Sequence, residues 1–239
     1  MLKTFATILG TEIRLSLRNP DMIVFGVIFP VGVMLLLGFI SSPEATRLDF
    51  GGIVAFGICA AGLMGLPLTL ADYRHRKVLK RLRVTPASPA LLLGAQAICQ
   101  CLFVAISSTA VFLIARLGFG VEIAGTPARF LLSFLLVQAS IFGLGFLVGS
   151  LAPNAKVANA VTSLLYFPMI FLSGATIPFE ILPRALRVAS EVLPLTQGIK
   201  LLKGAVLGSP PEASLVPIVV LSVIAIASYS VSVKYFRWE

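Results

Sequence analysis

The sequence predicts an all-α integral membrane protein with six transmembrane helices, and three observations predict it. Of the 239 residues, 58% are hydrophobic and only 12% are charged. The apolar residues gather into six long runs, at 22–41, 51–71, 90–115, 130–151, 157–174 and 213–233. A bilayer core about 30 Å thick needs roughly 20 helical residues per crossing. Nearly all the strong charge lies between the runs. Six crossings leave little chain for a separate domain in water, so 1–239 reads as a single transmembrane domain.

The first element is interfacial, within 1–21. Residues 2–18 repeat at about 100° per residue, with Lys3, Thr7, Thr11, Arg14 and Arg18 on one face and Leu2, Phe5, Ala6, Leu9 and Ile13 opposite. Such a helix lies in the interface, apolar side down. Glu12 falls at the edge of the apolar face, where it either reaches water or pairs with a basic group of the nearest loop. Arg18-Asn19-Pro20 ends the helix, because proline disfavours helix at the preceding residue. The segment lacks an unbroken apolar core and a small-residue cleavage site, which argues against a signal peptide.

The first run contains Phe29-Pro30 and Gly32, so a kinked span is expected. The second is rich in Gly and Ala. Ala61 with Gly65, and Gly145 with Gly149 in the fourth run, are small-xxx-small pairs that let helix backbones approach closely. Between the second and third runs, 72–89 carries Arg74, Arg76, Lys77, Lys80, Arg81 and Arg83. Asp72 is a candidate cap for a short helix there. Val78, Leu79 and Leu82 form an apolar strip, and Arg76, Lys80 and Arg83 a basic one. Thr85-Pro86 ends it, and Ser88-Pro89 opens the third span as N-cap and N1 proline. Between the fifth and sixth runs, 175–212 is too polar to cross and too apolar for a free loop. It reads as a re-entrant or interfacial pair of short helices on the outer face.

Orientation follows from Lys and Arg, which collect in cytoplasmic loops. Twelve of the nineteen fall before the first run, in 72–89, at Lys156 and in the tail. Both termini are therefore expected in the cytoplasm. The net charge of +9 fits this bias and contact with anionic lipid, rather than nucleic-acid binding. Cys59, Cys99 and Cys101 sit in or near apolar runs and read as small core residues.

Several chemistries are missing. No G-x-x-x-x-G-K-[ST] is present, so the chain has no P-loop of its own. The single histidine, His75, excludes a multi-histidine metal site or a Ser-His pair within the spans. Intramembrane ionisable residues, which mark proton relays, are almost absent. Energy, if used, must come from another chain.

On these pieces the chain resembles the permease subunits of ABC-2 type ATP-binding-cassette exporters, over essentially its whole length. The resemblance rests on Arg18-Asn19-Pro20 and Phe29-Pro30, then on Lys80-Arg81-Leu82-Arg83-Val84-Thr85-Pro86-Ala87-Ser88-Pro89. It continues in Phe171-Leu172-Ser173-Gly174, Leu182-Pro183, Pro194-Leu195-Thr196 and Leu201-Leu202-Lys203-Gly204. Gln197 and Lys203 depart from the residues commoner there. The resemblance implies a bacterial inner-membrane subunit that is not itself an enzyme. It would pair with a second permease chain, identical or different, and with a P-loop ATPase subunit that carries ATP and Mg. The N-terminal helix becomes a connecting helix and 72–89 a coupling loop, with Arg76, Lys77, Lys80, Arg81 and Arg83 at the ATPase and Glu12 and Arg14 nearby. The 175–212 hairpin becomes an outer gate.

An apolar path suits a hydrophobic or amphipathic substrate, a drug-like molecule or lipid, with polysaccharide or glycolipid export as the alternative. Asn159, Thr162, Ser163 and Ser173 either line that path or hydrogen-bond within the helix packing. A nucleotide-independent channel or carrier, a scaffold subunit and a membrane-embedded enzyme are the rival classes. The last would need an intramembrane nucleophile or carboxylate cluster that the sequence does not offer.

Overall fold

The computed structural model of the chain describes residues 2–18, 23–77, 89–174 and 183–235. Every regular element among them is helical, as the apolar runs predict. α1 is Leu2–Leu17, and α2 is Phe29–Ile40, entered through a π-helical turn at Val24–Ile28. α3 runs unbroken over Pro43–His75. α4 is Pro89–Leu113, prolonged by a π-helical turn at Ile114–Gly118. α5 is Pro127–Leu151 and α6 is Ala155–Leu172. The short α7 (Arg184–Ser190) and α8 (Pro194–Leu207) follow, and α9 is Leu215–Tyr235.

Five helices are long and apolar enough to cross a membrane, namely α3, α4, α5, α6 and α9 with the turn that leads into it. The first apolar run falls short among the described residues. Its apolar helix is Gly26–Ile40, which at 1.5 Å per residue covers about 22 Å. Asp21 and Met22, where that run begins, lie outside the described residues.

α3 departs most from the run it contains, beginning at Pro43 rather than Gly51. The local start signals explain this. Ser42 Oγ accepts the Ala45 N–H at 3.4 Å, Pro43 needs no N–H partner at the first position, and Glu44 sits in the first turn. At its other end α3 absorbs Asp72. That residue does not cap a new helix but pairs with Arg76 one turn on, Oδ2 to Nε at 2.8 Å. Pro30 and Pro67 do not break their helices. The turn before each widens to a π-helix, with Phe29 N–H reaching Val24 O and Leu66 N–H reaching Ala61 O. A proline has no N–H to give, so the ladder slips by one residue instead of ending.

α3 is the axis of the bundle, and its glycine contacts show why. A Cβ on Gly145 of α5 would lie 2.1 Å from Gly62 O, and one on Gly149 would meet Leu70 and Pro67 at 3.1–3.2 Å. The Gly145–Gly149 pair therefore seats α5 on α3 within one chain. A Cβ on Gly51 would come 2.9 Å from the Lys203 backbone nitrogen, so α8 packs equally closely on the N-terminal half of α3. α9 runs beside α5 in the same direction, with Ser228 and Tyr229 against Gly143. In the 175–212 hairpin, 175–182 lies outside the described residues. α7 is exposed except for Ser190, whereas Leu195, Ile199, Leu202 and Val206 bury α8 among the spans. Gly208, at φ +71°, terminates α8 in the left-handed region. Arg129 clamps the return, its guanidinium donating to Ser209 O and, at 2.9 Å, to Ser214 Oγ.

Candidate functional site: a tied base and an intramembrane cleft

α1, the last turn of α3 and the C-terminal ends of α5 and α9 share one end of the bundle, the basal end. α1 packs obliquely on α4, from Phe5 beside Gly94 to Ser16, whose Oγ lies 3.4 Å from Cys99 Sγ. Lys3, Thr7, Thr11, Arg14 and Arg18 are all exposed, as the periodicity predicts. Glu12 is not at an edge. It is only 4% exposed, and among the described residues no basic group pairs with it. The Tyr73 hydroxyl donates to its carboxylate, 2.7 and 2.8 Å from the two oxygens. Burial pushes the Glu12 carboxyl above its ordinary value, and the Tyr73 hydrogen bond pulls it back part of the way.

The basic residues of 72–89 divide. Arg74 is not a loop residue at all: it is buried in α3 and donates to Ala152 O and, at 3.1 Å, to Ser150 O. A cation there satisfies carbonyls that the end of α5 leaves unpaired and opposes the negative end of its dipole. Arg76 and Lys77 are exposed where α3 ends, Lys77 at φ +56°. Lys80, Arg81 and Arg83, with the apolar strip between them, lie outside the described residues. Glu12 therefore comes to the foot of α3, while Arg14 points away on the exposed face.

Above the base, the turn leading into α2, with α3, α4 and α6, lines a cleft of about 430 Å³. It runs from Asn159 and Thr69 at its basal side to Ala60, Val104 and Phe167 deeper in. Among the described residues no charged side chain lines it. Gln100 of α4 does line it and is 1% exposed, and its Oε1 has no hydrogen-bond partner among the described residues. Gln96, one turn nearer the base, is likewise buried with an unpartnered Oε1. An amide left unpaired in an apolar medium costs about 2–7 kcal/mol. Of the four polar residues expected along a path, Asn159 lines this cleft. The Thr162 hydroxyl donates to Ala158 O at 2.9 Å, and Ser173 to Ile170 O at 3.2 Å, both within their own helix. Ser163 is half-buried. A second cavity of about 100 Å³, nearer the opposite end, is bordered by Asp49 and Lys203.

Sequence reasoning missed Tyr73, Arg74 and the two glutamines. Tyr73 and Arg74 were hidden because the apolar run stops at Ala71, short of the helix end. Gln96 and Gln100 did carry a signal: two carboxamides four residues apart inside an apolar run face one way along a helix.

The bundle, with five helices long and apolar enough to cross a membrane, is that of a multi-pass membrane protein. The chain belongs to the ABC-2 type transporter family, whose model matches residues 3–207. Over 195 residues it is 24% identical to YvfS of Bacillus subtilis (strain 168), which carries a transport-permease name, covering 77% of each chain. It is also 34% identical over 94 residues to Nodulation protein J of Rhizobium leguminosarum bv. viciae, covering 39% of this chain and 36% of that one. With Nodulation protein J of Rhizobium meliloti (strain 1021) it shares 35% identity over 75 residues, covering 31% and 29%. The matched segment thus spans about a third of the Nodulation protein J chains.

Proposed function

We propose that this chain is the membrane-spanning subunit of an ATP-driven exporter. It forms the path for a hydrophobic or amphipathic substrate and is driven by a separate P-loop ATPase that carries ATP and Mg. A second permease chain completes the path, and the assembly sits in a bacterial inner membrane with both termini in the cytoplasm. The ATPase docks at the basal end on the basic segment 76–89, with Arg76, Lys77, Lys80, Arg81 and Arg83 as its contacts.

One observation carries this reading. The basic segment hangs directly from α3, and the last turn of α3 is tied to α1 through Tyr73–Glu12 and to α5 through Arg74. A displacement of that segment by a closing ATPase therefore reaches three helices at once. α3 is one continuous helix from there to the α8 contact at Gly51.

The test is purification from native membranes with the co-purifying chains identified and ATP hydrolysis assayed. A stoichiometric P-loop ATPase whose activity depends on this chain is expected. Charge reversal at Lys80 and Arg81 should abolish that stimulation while membrane insertion is kept. A homo-oligomer without ATPase, or unchanged stimulation in the reversed variant, would overturn the reading.

A further inference from the structure

The cleft between the turn leading into α2 and helices α3, α4 and α6 has three properties that together specify a ligand. Its volume, about 430 Å³, is that of a small-molecule site. Its described lining is apolar or neutral and offers no ion-pair partner to a phosphate, a carboxylate or an ammonium group. Among its described lining residues, the buried side-chain atom without a hydrogen-bond partner is an acceptor, Oε1 of Gln100, a residue 1% exposed.

The position of that acceptor is built rather than incidental. Gln100 lies about 16 Å along α4 from Pro89, near the middle of a span, where water does not compensate a lone carbonyl. Across from it stands Gly65, the last residue of the π-helical turn before Pro67. A Cβ at Gly65 would lie 2.7 Å from Gln100 Nε2 and 3.3 Å from Oε1. The absence of a side chain at 65 is what lets the carboxamide lie against α3. Thr69, on the same helix as Gly65, makes no use of this acceptor, because its hydroxyl donates to Gly65 O at 3.0 Å. π-Helical turns recur at functional sites because they re-aim the residues beside them.

We infer that this cleft binds a neutral amphiphile, an apolar body carrying a hydroxyl or amide hydrogen-bond donor, and that Gln100 Oε1 accepts that donor and selects for it. This deepens the proposed export function, on which its role as a substrate site rests, and favours uncharged cargo over phosphate- or diphosphate-linked lipids. Gln100 is a specificity residue in this reading, and Gly65 is a positioning residue that acts through it.

The experiment uses the full chain alone in lipid nanodiscs, without nucleotide or ATPase, and two photoactivatable probes: a diazirine-bearing octanol and its methyl ether. The alcohol should label peptides containing Met64, Phe103 or Tyr166. It should do so saturably and about tenfold more than the ether at equal concentration, the loss of one well-placed hydrogen bond. Decanol should compete and decyl phosphate should not. Gln100→Leu should bring the two probes to equal labelling, and Gly65→Ala should move in the same direction. The comparison of alcohol with ether in the unmodified chain needs no variant, so a misfolded Gln100→Leu leaves the test intact. Equal labelling by both probes, competition by decyl phosphate, labelling confined to other regions, or a retained preference in a folded Gln100→Leu would each overturn the inference. Because binding is read on the permease alone, a missing ATPase partner would sink the export reading without touching this result.

Discussion

Tyr73→Phe should loosen α1 from the bundle, and the structure says by how much. The substitution keeps the ring and removes only the hydroxyl that donates to Glu12, 2.7 and 2.8 Å from its two oxygens. A hydrogen bond to a charged group contributes about 1.5–3 kcal/mol, and the buried acceptor left behind finds no water. Local opening of α1 should therefore rise roughly 10- to 100-fold. Cys99 supplies a readout, because it is buried beneath α1 with Ser16 Oγ 3.4 Å from its sulfur. In a chain carrying Cys59→Ala and Cys101→Ala, Cys99 is the remaining thiol. Its labelling by membrane-permeant N-ethylmaleimide then reports the open fraction, provided reclosing outruns labelling. The labelling rate in Tyr73→Phe should exceed that of the parent by one to two orders of magnitude at pH 7. Glu12→Gln retains an acceptor for the hydroxyl and should stay near the parent. An unchanged rate in Tyr73→Phe would show that apolar contacts such as Phe5 on α4 hold α1, and that the carboxylate tie is dispensable.

Other perturbations separate the remaining contacts. The Glu12 carboxyl is raised by burial, so docked α1 holds its proton more tightly than undocked α1. Docking is then strongest in acid and weakens as pH climbs from the ordinary carboxylate value through the raised one. Cys99 labelling normalised to the Glu12→Gln chain should rise over that window and be flat below it. Arg74→Leu leaves Ala152 O and Ser150 O without this donor and should destabilise the purified chain by about 1.5–3 kcal/mol, read as the midpoint of thermal unfolding in nanodiscs. Gly145→Ala should lower that midpoint strongly, since the new Cβ meets Gly62 O at 2.1 Å and overpacking costs about 1–3 kcal/mol. Gly52→Ala, with nothing within 4 Å of its Cβ, should be neutral or raise stability by about 0.5–1 kcal/mol. Equal midpoints for the two alanine variants would contradict the α3–α5 packing described.

How far the sequence speaks for the structure depends on which force sets each feature. Membrane crossing is decided by hydropathy over some twenty residues, a sum that single residues barely alter, so α3, α4, α5, α6 and α9 all fall on apolar runs. The exposed face of α1 was legible for the same reason, because a helical period places Lys3, Thr7, Arg14 and Arg18 together. Helix ends are decided otherwise. α3 starts at Ser42-Pro43 on capping chemistry and continues past Ala71 through charged residues, where hydropathy carries no information. The tied base therefore lay in a stretch that reads as loop. The Glu12–Tyr73 contact was not legible, because the two residues are sixty-one positions apart and no local pattern joins them. The packing role of Gly145 and Gly149 was legible as a stripe, but the partner helix was not, because every small-residue stripe looks alike until a backbone lies against it.

α3 also joins the two candidate sites in one mechanical element. Its foot holds Tyr73 and Arg74, and its middle holds the π-helical turn at Ala60–Gly65 that faces Gln100 and borders the cleft. Turns of this kind carry an extra residue in the ladder and are where a long helix changes direction at low cost. A straight helix would transmit a push at His75 to Pro43 without altering the cleft wall on the way. The wide turn and Pro67 make the stretch immediately below Gly65 the place where bending α3 costs least. Rotation about it would change the distance between Gly65 and the Gln100 carboxamide before it disturbed the Gly51 contact with α8. Affinity in the cleft should accordingly respond to the state of the base. Charge reversal at Lys80 and Arg81 abolishes that response if the base is driven from the basic segment. Tyr73→Phe removes only the share carried through α1, and Gly51–Lys203 packing is unchanged in both.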